Sequence, residues 1–500
     1  MDSEATGSST EEVIDVWVVT GRDQAQIIRN LIENKFTPDT KIGVNIKLIS
    51  GGTLLPSIIA GVGPEVSLMD ASTTIIDYAL RNAIKPLNDY VNEDIKNGTN
   101  ILDQFPEAAI EPLTLYNFGY DDVNGVLENS KKYNWVDEDL YLWRDDTTSV
   151  VNGKTVNYLV DQNDLSTTAD DAKYGYNWKN EDGQTGIELY ALPDSLSFSM
   201  MFYREDIFAN LELEVPKTWD DMLAILPILQ YNNMELGIQN DIYTFTYQNG
   251  FEAYSNNGMT INFDSKGVLN AFESMCNYYT QYSLPYVYDF ANRFRTGEMP
   301  IGIAAYTTCN QLAVFASELS GLWTFVKLPG IQTGVDESGN PIINRTAMAT
   351  VTGCVMIENG DSKEQQAKDA AAWEFMKWYT GNEFQADYSN GVVSIMGIAA
   401  RPATANRIAL EELPWTSKEK TNILDQFDNL DAVPNHPGSY YLARYVSFAF
   451  LAAYNEGEDA SDSLLSYVTT INAELERRRQ EFGMLTFKDY QKLNKDNVLN

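Results

Sequence analysis

Histidine and cysteine are scarce in this 500-residue chain, which contains one histidine and three cysteines. A Ser-His-Asp or Cys-His centre would have to use His436, and that residue lies in a Pro- and Gly-rich turn where a structural or ligand-facing role is expected. Cys276, Cys309 and Cys354 are too few and too scattered for a disulfide framework or a structural zinc site, so buried free thiols are expected. Soft metals prefer His or Cys clusters, which disfavours a metal-uptake protein.

Basic residues and long apolar runs are also lacking. The chain has 35 Lys and Arg against 71 Asp and Glu, which gives a formal net charge of −36 and a pI near 4.3. Such a charge repels nucleic acid and anionic lipid surfaces, so no nucleic-acid partner is expected. Because no run of about 18 apolar residues occurs, the sequence predicts no membrane-spanning segment.

What is present is a large globular composition, with 44% apolar and 12% aromatic residues. The length exceeds the roughly 250 to 300 residues at which one hydrophobic core stops growing, so at least two lobes are expected. Apolar runs separated by a helical pattern over 24–36 predict an α/β fold with a parallel sheet, and ligands of such sheets collect at the carboxyl ends of the strands. Those ends carry Arg22 and Asp70. The predicted strands are 13–19, 44–49 and 66–69.

A second unit of structure is predicted between residues 186 and 229. Two apolar runs, 189–192 and 200–203, predict strands on either side of a polar loop that contains Asp194. Thr218 is a good N-cap, Asp221 stands at the third helical position, and apolar residues follow at helical spacing. Taken alone, this is an ordinary strand-loop-strand-helix unit, because single motifs of this kind are weak.

The same segment resembles the pattern G-x-x-Y-x-L-P, F-Y-x-x-D-x-F and P-x-T-W-D-D of family 1 extracellular solute-binding proteins, which capture sugars for ABC importers. Later segments, 294–303, 323–330 and 372–378, resemble further blocks of that family in the same order. The resemblance spans residues 13–485, and it is specific for the family and not for the sugar.

The resemblance implies an α/β, two-lobed periplasmic-binding-protein-like fold. Each lobe is expected to be a mostly parallel sheet flanked by helices, with hinge crossings near Asn117, Glu358 and Ala399. The implied lobes follow a disordered leader at 1–12. Lobe 1 comprises residues 13–117 plus 358–398, and lobe 2 comprises 118–357 plus 399–500 with an insertion over 120–180.

A sugar-binding cleft needs aromatic platforms for C–H faces and planar polar groups for vicinal hydroxyls. Tyr306 with Thr307 is the best placed candidate, since maltose-binding proteins put a stacking tryptophan after the corresponding strand; a core tyrosine is the alternative. Tyr247, Gln248 and Asn249 combine a platform with two amides before a Gly turn. The other ligand-binding candidates, each with a surface or capping role as the alternative, are Arg22, Asp70, Asp194, Arg401, Tyr440, Tyr441 and Arg444.

The function that the resemblance implies is capture of an oligosaccharide and its delivery to ABC permease subunits, by a monomer without catalytic residues, metal or cofactor. We expect an extracellular lipoprotein at the outer face of the cytoplasmic membrane, with Met1 replacing an excised lipoprotein signal and its anchoring cysteine. A glycoside hydrolase is an alternative, because 71 acidic residues can furnish a carboxylate pair, although no hydrolase motif accompanies them. A binding protein for peptides or another polar solute is a second alternative, with the same fold and a different cleft.

Overall fold

The computed structural model describes residues 12–116, 148–151, 154–157, 187–256, 258–336, 338–484 and 486–488. The predicted leader, except its last residue, therefore lies outside the described residues. So do the predicted crossing near Asn117 and most of the predicted insertion at 120–180.

The strands alternate with helices through most of the described chain. In chain order they are β1 Glu12–Val18, β2 Ile42–Leu48, β3 Val66–Ala71, β4 Thr114–Tyr116, β5 Thr148–Val151, β6 Lys154–Asn157, β7 Ile187–Leu189, β8 Ala191–Arg204, β9 Leu236–Gly237, β10 Tyr254–Ser255, β11 Thr260–Ile261, β12 Ile301–Ala305, β13 Trp323–Val326, β14 Ile331–Val335, β15 Pro341–Asn344, β16 Ala347–Met356 and β17 Leu430–Asp431.

The α-helices are α1 Arg22–Leu31, α2 Thr37–Thr40, α3 Leu54–Ile59, α4 Ser72–Leu80, α5 Asn88–Lys96, α6 Glu107–Ile110, α7 Glu205–Asn210, α8 Trp219–Tyr231, α9 Ile242–Gln248, α10 Lys266–Thr280, α11 Phe290–Thr296, α12 Thr308–Phe315, α13 Lys363–Thr380, α14 Asn382–Met396, α15 Arg407–Glu412, α16 Ser417–Phe427, α17 Tyr440–Leu451 and α18 Ala460–Glu481. Ile32–Phe36 and Ala452–Glu456 are π-helical turns. Short 3-10 turns lie at Ile101–Gln104, Glu111–Leu113, Ser317–Leu319 and Ile398–Ala400.

One sheet connects most of these strands, in the order β2-β1-β3-β16-β8-β12-β9, with β13 paired to β8 and β17 to β16. β1 is parallel to β2 and β3, and β9 is parallel to β12, whereas β8 is antiparallel to β12, β13 and β16. Helices cover the sheet, with α13 packed on β1 and α14 packed on α1. The predicted α/β fold is confirmed, and antiparallel pairs occupy the centre of the sheet.

The predicted strand-helix-strand unit at the start of the chain is present. β1, β2 and β3 begin and end within two residues of their predicted bounds, and β1 buries Ile14, Val16, Trp17 and Val18. Burial of successive residues, pointing to both faces, is typical of a parallel strand covered by helices on each side.

The strand prediction for residues 189–203 is wrong, because β8 is continuous from Ala191 to Arg204. The expected polar loop lies inside this strand, and Asp194 is only 4% exposed. Its carboxylate accepts hydrogen bonds from the backbone N–H of Met69, at 3.0 Å, and from Thr352 Oγ1. Neighbouring strands thus supply the partners that let a polar residue lie within a buried strand.

Local helix signals agree with the structure. Thr218 and Asp221 form the predicted capping box of α8, and Ser362 caps α13 by accepting from the backbone N–H of Gln365. The side-chain amide of Gln365 donates a hydrogen bond to the carboxylate of Asp369, at 2.8 Å. The apolar face of α18 repeats at helical spacing and is buried; it consists of Leu464, Val468, Ile471 and Leu475.

The three cysteines are buried and free, as expected. Burial raises the pKa of the Cys276 and Cys309 thiols to about 12, which keeps both protonated and unreactive at neutral pH. Among the helices of the described residues, none is long and apolar enough to cross a membrane.

Candidate functional site

The parallel strands of the first lobe end at one polar edge. The register of the sheet pairs Val18 at the end of β1 with Leu48 of β2 and Leu68 of β3. Each strand then leads through a short connection into a helix, α1, α3 or α4. Arg22 is the exposed first residue of α1, and Asp70 lies near the end of β3. The structure therefore brings these two predicted residues to the same edge.

A second polar edge is formed by β9 and β12 in the other lobe. The two strands are parallel, and Ala305 at the end of β12 lies opposite Ser199 of β8. Gln239 and Asn240, which follow β9, are exposed, and the side chains of Ser199 and Gln239 are 3.2 Å apart. These polar residues were not predicted from the sequence, in which two adjacent amides directly follow the apolar run 236–238.

The strands β8 and β16 join the two edges. Ala71 at the end of β3 pairs with Thr352, Thr352 pairs with Ser195, and Ser199 reaches the second edge. Ser195 and Ser199, which mark the two edges on β8, are four positions apart, and this corresponds to about 13 Å at the rise of a strand. Both rows of strand ends face this crossing, so the space beside it is the candidate binding site.

Asp194 lies at the crossing as a buried polar junction. The register between β8 and β16 shifts beside it, and its carboxylate accepts from Met69, Thr352 and, at 3.4 Å, the hydroxyl of Tyr379. Burial raises the pKa of Asp194 to about 6. Burial also raises the pKa of Asp70 to about 7, and the charge of Asp194 adds to that increase. In the described part of the chain, no lysine or arginine forms an ion pair with either carboxylate.

Tyr306, the predicted platform, is 1% exposed. Its ring stacks on Phe198 with centroids 4.6 Å apart, and Trp415 lies at 6.4 Å. Thr307 is half-buried and precedes α12 without a side-chain capping bond. Protein side chains therefore contact the Tyr306 ring in this conformation, and stacking of this ring on a ligand stays a prediction.

The predicted platform and amides at 247–249 lie at the end of α9. Gln248 is fully buried, and its amide accepts from Trp219 Nε1 at 2.7 Å and donates to the carbonyls of Pro329 and Thr346. Tyr247 is 8% exposed, whereas Asn249 is exposed and donates to its own helix. The Gln248 side chain thus links α8 and α9 to the segment around residues 329–346.

Arg401 lies where the chain passes from α14 to α15. It is 6% exposed, and its guanidinium stacks over the ring of Trp415 at 4.2 Å. Its backbone oxygen accepts from Asn310 Nδ2 of α12, at 3.5 Å. The preceding 3-10 turn packs on both α12 and α14. Because α14 packs on α1 and α12 follows β12, Arg401 stands on a connection between the two lobes.

Tyr440, Tyr441 and Arg444 lie together at the start of α17. The tyrosine rings are 4.5 Å apart, and Arg444 lies over Tyr441 at 5.8 Å. Tyr440 is 51% exposed, and Arg478 donates to its hydroxyl. These half-exposed rings, unlike the buried Tyr306, offer accessible aromatic faces.

A small pocket connects this aromatic group to the first lobe. Thr73 and Asp77 of α4 line it together with His436, Tyr440 and Arg478. Burial lowers the pKa of His436 to about 3, so this histidine is neutral at physiological pH and is a poor candidate for a general base.

Within the described ranges, no group of three or more His, Cys, Asp or Glu side chains is arranged to hold a metal ion. The arrangement supplies aromatic faces and planar polar groups, which suit a neutral or charged polar ligand.

Comparisons with known proteins agree with this architecture. The family described as bacterial extracellular solute-binding protein matches residues 34–420. No curated protein shows a match to the sequence. The solved structure of the sugar-binding protein MalE from Xanthomonas citri superposes with a TM-score of 0.64 at 16% identity, covering 95% of this chain and 100% of that one.

Two further structures have similar scores. The maltose-binding periplasmic protein MalE from Listeria monocytogenes, in complex with maltose, gives a TM-score of 0.58 at 12% identity, with 94% of this chain and 99% of that one covered. The cyclic α-maltosyl-1,6-maltose binding protein from Arthrobacter globiformis gives 0.59 at 12% identity, with 93% and 99% covered. At sequence identities of 12 to 16%, these structural similarities show the two-lobed fold alone.

Proposed function

Because this chain belongs to the bacterial extracellular solute-binding proteins, we propose that it captures an oligosaccharide between its lobes and delivers it to the permease of an ABC importer. The observation that carries the proposal is the pair of polar strand edges that face each other beside the β8–β16 crossing. A ligand that touches both edges favours the closed arrangement by its differential affinity for that state.

The chemistry of the exposed side chains supports a sugar as the ligand. Gln239 and Asn240 present planar amides that can pair with vicinal hydroxyls, and Tyr440 and Tyr441 present aromatic faces for C–H surfaces. The neighbours with the same fold are described as proteins that bind maltose or other sugars. We infer an oligosaccharide and not a single sugar, since the two edges lie about 13 Å apart along β8.

The proposal includes the cellular setting. The protein would work outside the cell, as its family description states, and a lipid anchor would hold it at the outer face of the membrane beside its permease. Lobe 1 would comprise 13–117 plus 358–398 and lobe 2 the remainder. The protein would act as a monomer.

The first experiment is calorimetry of the purified protein against a panel of neutral oligosaccharides, followed by recovery of the bound sugar. Binding with recovery of intact sugar supports the proposal. Stoichiometric release of shorter products, abolished by substitution of one carboxylate, would instead identify a glycoside hydrolase. Binding of peptides and of no sugar would reject the carbohydrate assignment.

A pair of variants tests the aromatic contact. Tyr441→Ala should weaken binding of the best sugar about tenfold or more, because loss of one stacking face removes on the order of 1 to 3 kcal/mol. Tyr231→Ala is the matched control, since Tyr231 is 88% exposed on α8. Equal affinities for both variants would remove Tyr441 from the site.

Lobe closure is tested by solution scattering with the same sugar. The radius of gyration should fall at saturating ligand, and the melting temperature should rise with ligand concentration through mass action. Tight binding without compaction would confine the site to one lobe.

A further inference from the structure

Arg401 is a buried cation whose guanidinium forms no hydrogen bond or ion pair with the residues that the structure describes. Only 6% of the residue is exposed, and its Nε is buried without a hydrogen-bond partner. In the part of the chain that the structure describes, no carboxylate lies within ion-pair distance of it. Burial of a charged group without a paired opposite charge is costly, so such a group is uncommon unless a ligand completes it.

Two other arginines, the partly buried Arg345 and the buried Arg479, differ from it. Arg345 donates from Nη2 to the carbonyl of Pro216, and Arg479 donates to the carbonyl of Gly258. Among the described residues, the Arg401 guanidinium forms neither a hydrogen bond to the backbone nor an ion pair, and Trp415, at 4.2 Å, provides only a ring face. The ring fixes the plane of the guanidinium and leaves its hydrogen-bonding edge unused.

The start of a helix lies beside Arg401. The helix α12 begins at Thr308 directly after β12, without a side-chain cap, and its first turn lies beside Arg401 through the contact with Asn310. The positive end of a helix dipole favours an anion. The closest influence of opposite sign comes from Glu419, which is committed to capping α16 through the N–H and hydroxyl of Thr416.

We propose that Arg401 and Trp415, beside the start of α12, form a subsite for an anionic group on the saccharide ligand, a uronic acid carboxylate. This inference rests on the proposed function and names its substrate class, an acidic oligosaccharide. The planar guanidinium fork matches the two oxygens of a carboxylate, and the indole that stacks on it holds the fork in place. A sulfate ester would offer the same anionic chemistry.

The test is a binding panel of matched oligosaccharides. Each neutral di- or trisaccharide of glucose, galactose, mannose or xylose is paired with a twin of the same length that carries one uronic acid, and with a twin that carries one sulfate ester. Wild-type protein should bind at least one uronate member about tenfold or more tighter than its neutral twin, as expected for a charge-assisted pair. The net charge of −36 disfavours non-specific anion binding, so such a preference reports a local site.

Three variants separate this role from a structural one. Arg401→Gln should abolish the preference for the anionic twin while the affinity for the neutral twin changes less than about threefold. Arg401→Lys, which keeps the charge without the fork, should retain only part of the preference. Arg345→Gln is the matched control, since it removes a partly buried arginine elsewhere, and it should leave the preference unchanged.

The ratio of the two affinities is the deciding measurement, because a merely structural role would lower both together. Equal affinity for neutral and anionic twins, or a ratio that survives Arg401→Gln, overturns this inference and leaves the proposed function standing. Preference for the sulfate twin alone supports the anion subsite and rejects the uronate. If no saccharide binds in any form, the proposed function fails and this subsite fails with it.

Discussion

The replacement of Asp194 by Asn should change how the stability of the protein depends on pH. Asp194 is 4% exposed at the crossing of β8 and β16, and its carboxylate accepts from Met69 and Thr352. An asparagine can keep a carbonyl oxygen toward Met69 and turn its amide toward the hydroxyl of Thr352. The substitution therefore removes the ionisation of this group and leaves its local geometry largely intact.

The magnitude follows from the raised pKa. Burial moves the pKa of Asp194 from 3.8 to about 6, so between these values the folded protein binds a proton that the unfolded chain has lost. Stability from this group is therefore fully present below pH 3.8 and is lost as the pH rises through 6. A shift of about two units corresponds to about 3 kcal/mol, of which about 2 to 3 kcal/mol is lost between pH 4 and pH 8.

The assay is urea unfolding of wild type and Asp194→Asn at pH 4, 6 and 8 and constant ionic strength. The difference in unfolding free energy should shift in favour of Asp194→Asn by at least that amount as the pH rises, because carboxylates that do not interact with Asp194 cancel in the difference. Asp70 adds to the shift in the same direction, since the charge of Asp194 contributes to its raised pKa. Asp206→Asn is the control with a nearly flat difference over this range, since the Arg204 side chain lowers the pKa of Asp206 and the stability from that group changes only as the pH falls below about 3.8. If the difference in unfolding free energy between wild type and Asp194→Asn does not change from pH 4 to pH 8, the Asp194 carboxylate is not desolvated. The description of Asp194 as a buried junction between β8 and β16 would then be wrong.

The other predictions concern buried polar networks and packing. Gln248→Met leaves the indole N–H of Trp219 and two carbonyls without partners, and it should lower the unfolding free energy by about 2 to 4 kcal/mol in urea titration; a loss below about 1 kcal/mol would contradict this. Asp369→Ala removes the shortest and most buried of the three ion pairs of Lys85 and leaves only Glu358 at 3.6 Å and Asp361 at 3.9 Å, so it should cost about 2 to 4 kcal/mol. The double variant Lys85→Met, Asp369→Leu should recover most of the loss, and no recovery would refute the pairing argument. Because the Tyr306 residue is 1% exposed, Tyr306→Ala should lower the unfolding free energy by about 3 to 5 kcal/mol, measured by thermal or urea unfolding. Tyr306→Phe should lower it by less than about 1.5 kcal/mol. Equal stability of the two variants would place Tyr306 outside the core.

Several features of the fold were predictable because their interactions are local. The capping box of Thr218 and Asp221 joins residues three positions apart, and the apolar face of α18 repeats at helical spacing. The strand-helix-strand unit at the start of the chain depends on apolar runs and turns within a few residues of one another. Such signals are readable in one segment at a time.

The candidate site was predictable only in part. Arg22 and Asp70 were expected at strand ends, and the parallel pairing of β1, β2 and β3 places them on one edge. Gln239 and Asn240 were missed because the short strand β9 has only two residues, too few for a periodic signal. Whether these residues, or Tyr440 and Tyr441, contact a ligand remains a prediction.

The sequence by itself determined that the chain is long enough for two lobes, that strands alternate with helices, where helices are capped and which family the chain resembles. Each of these features depends on chain length, on composition or on neighbours along the chain. Only the tertiary structure decided the environment of individual polar residues. The partners of Asp194 are 125 and 158 positions away, and those of Gln248 are 29, 81 and 98 positions away. Arg401 was a candidate from the sequence, but its burial and its stacking on Trp415 are properties of the folded chain. Burial and hydrogen bonding between distant segments are set by the packed chain, and no local pattern encodes them.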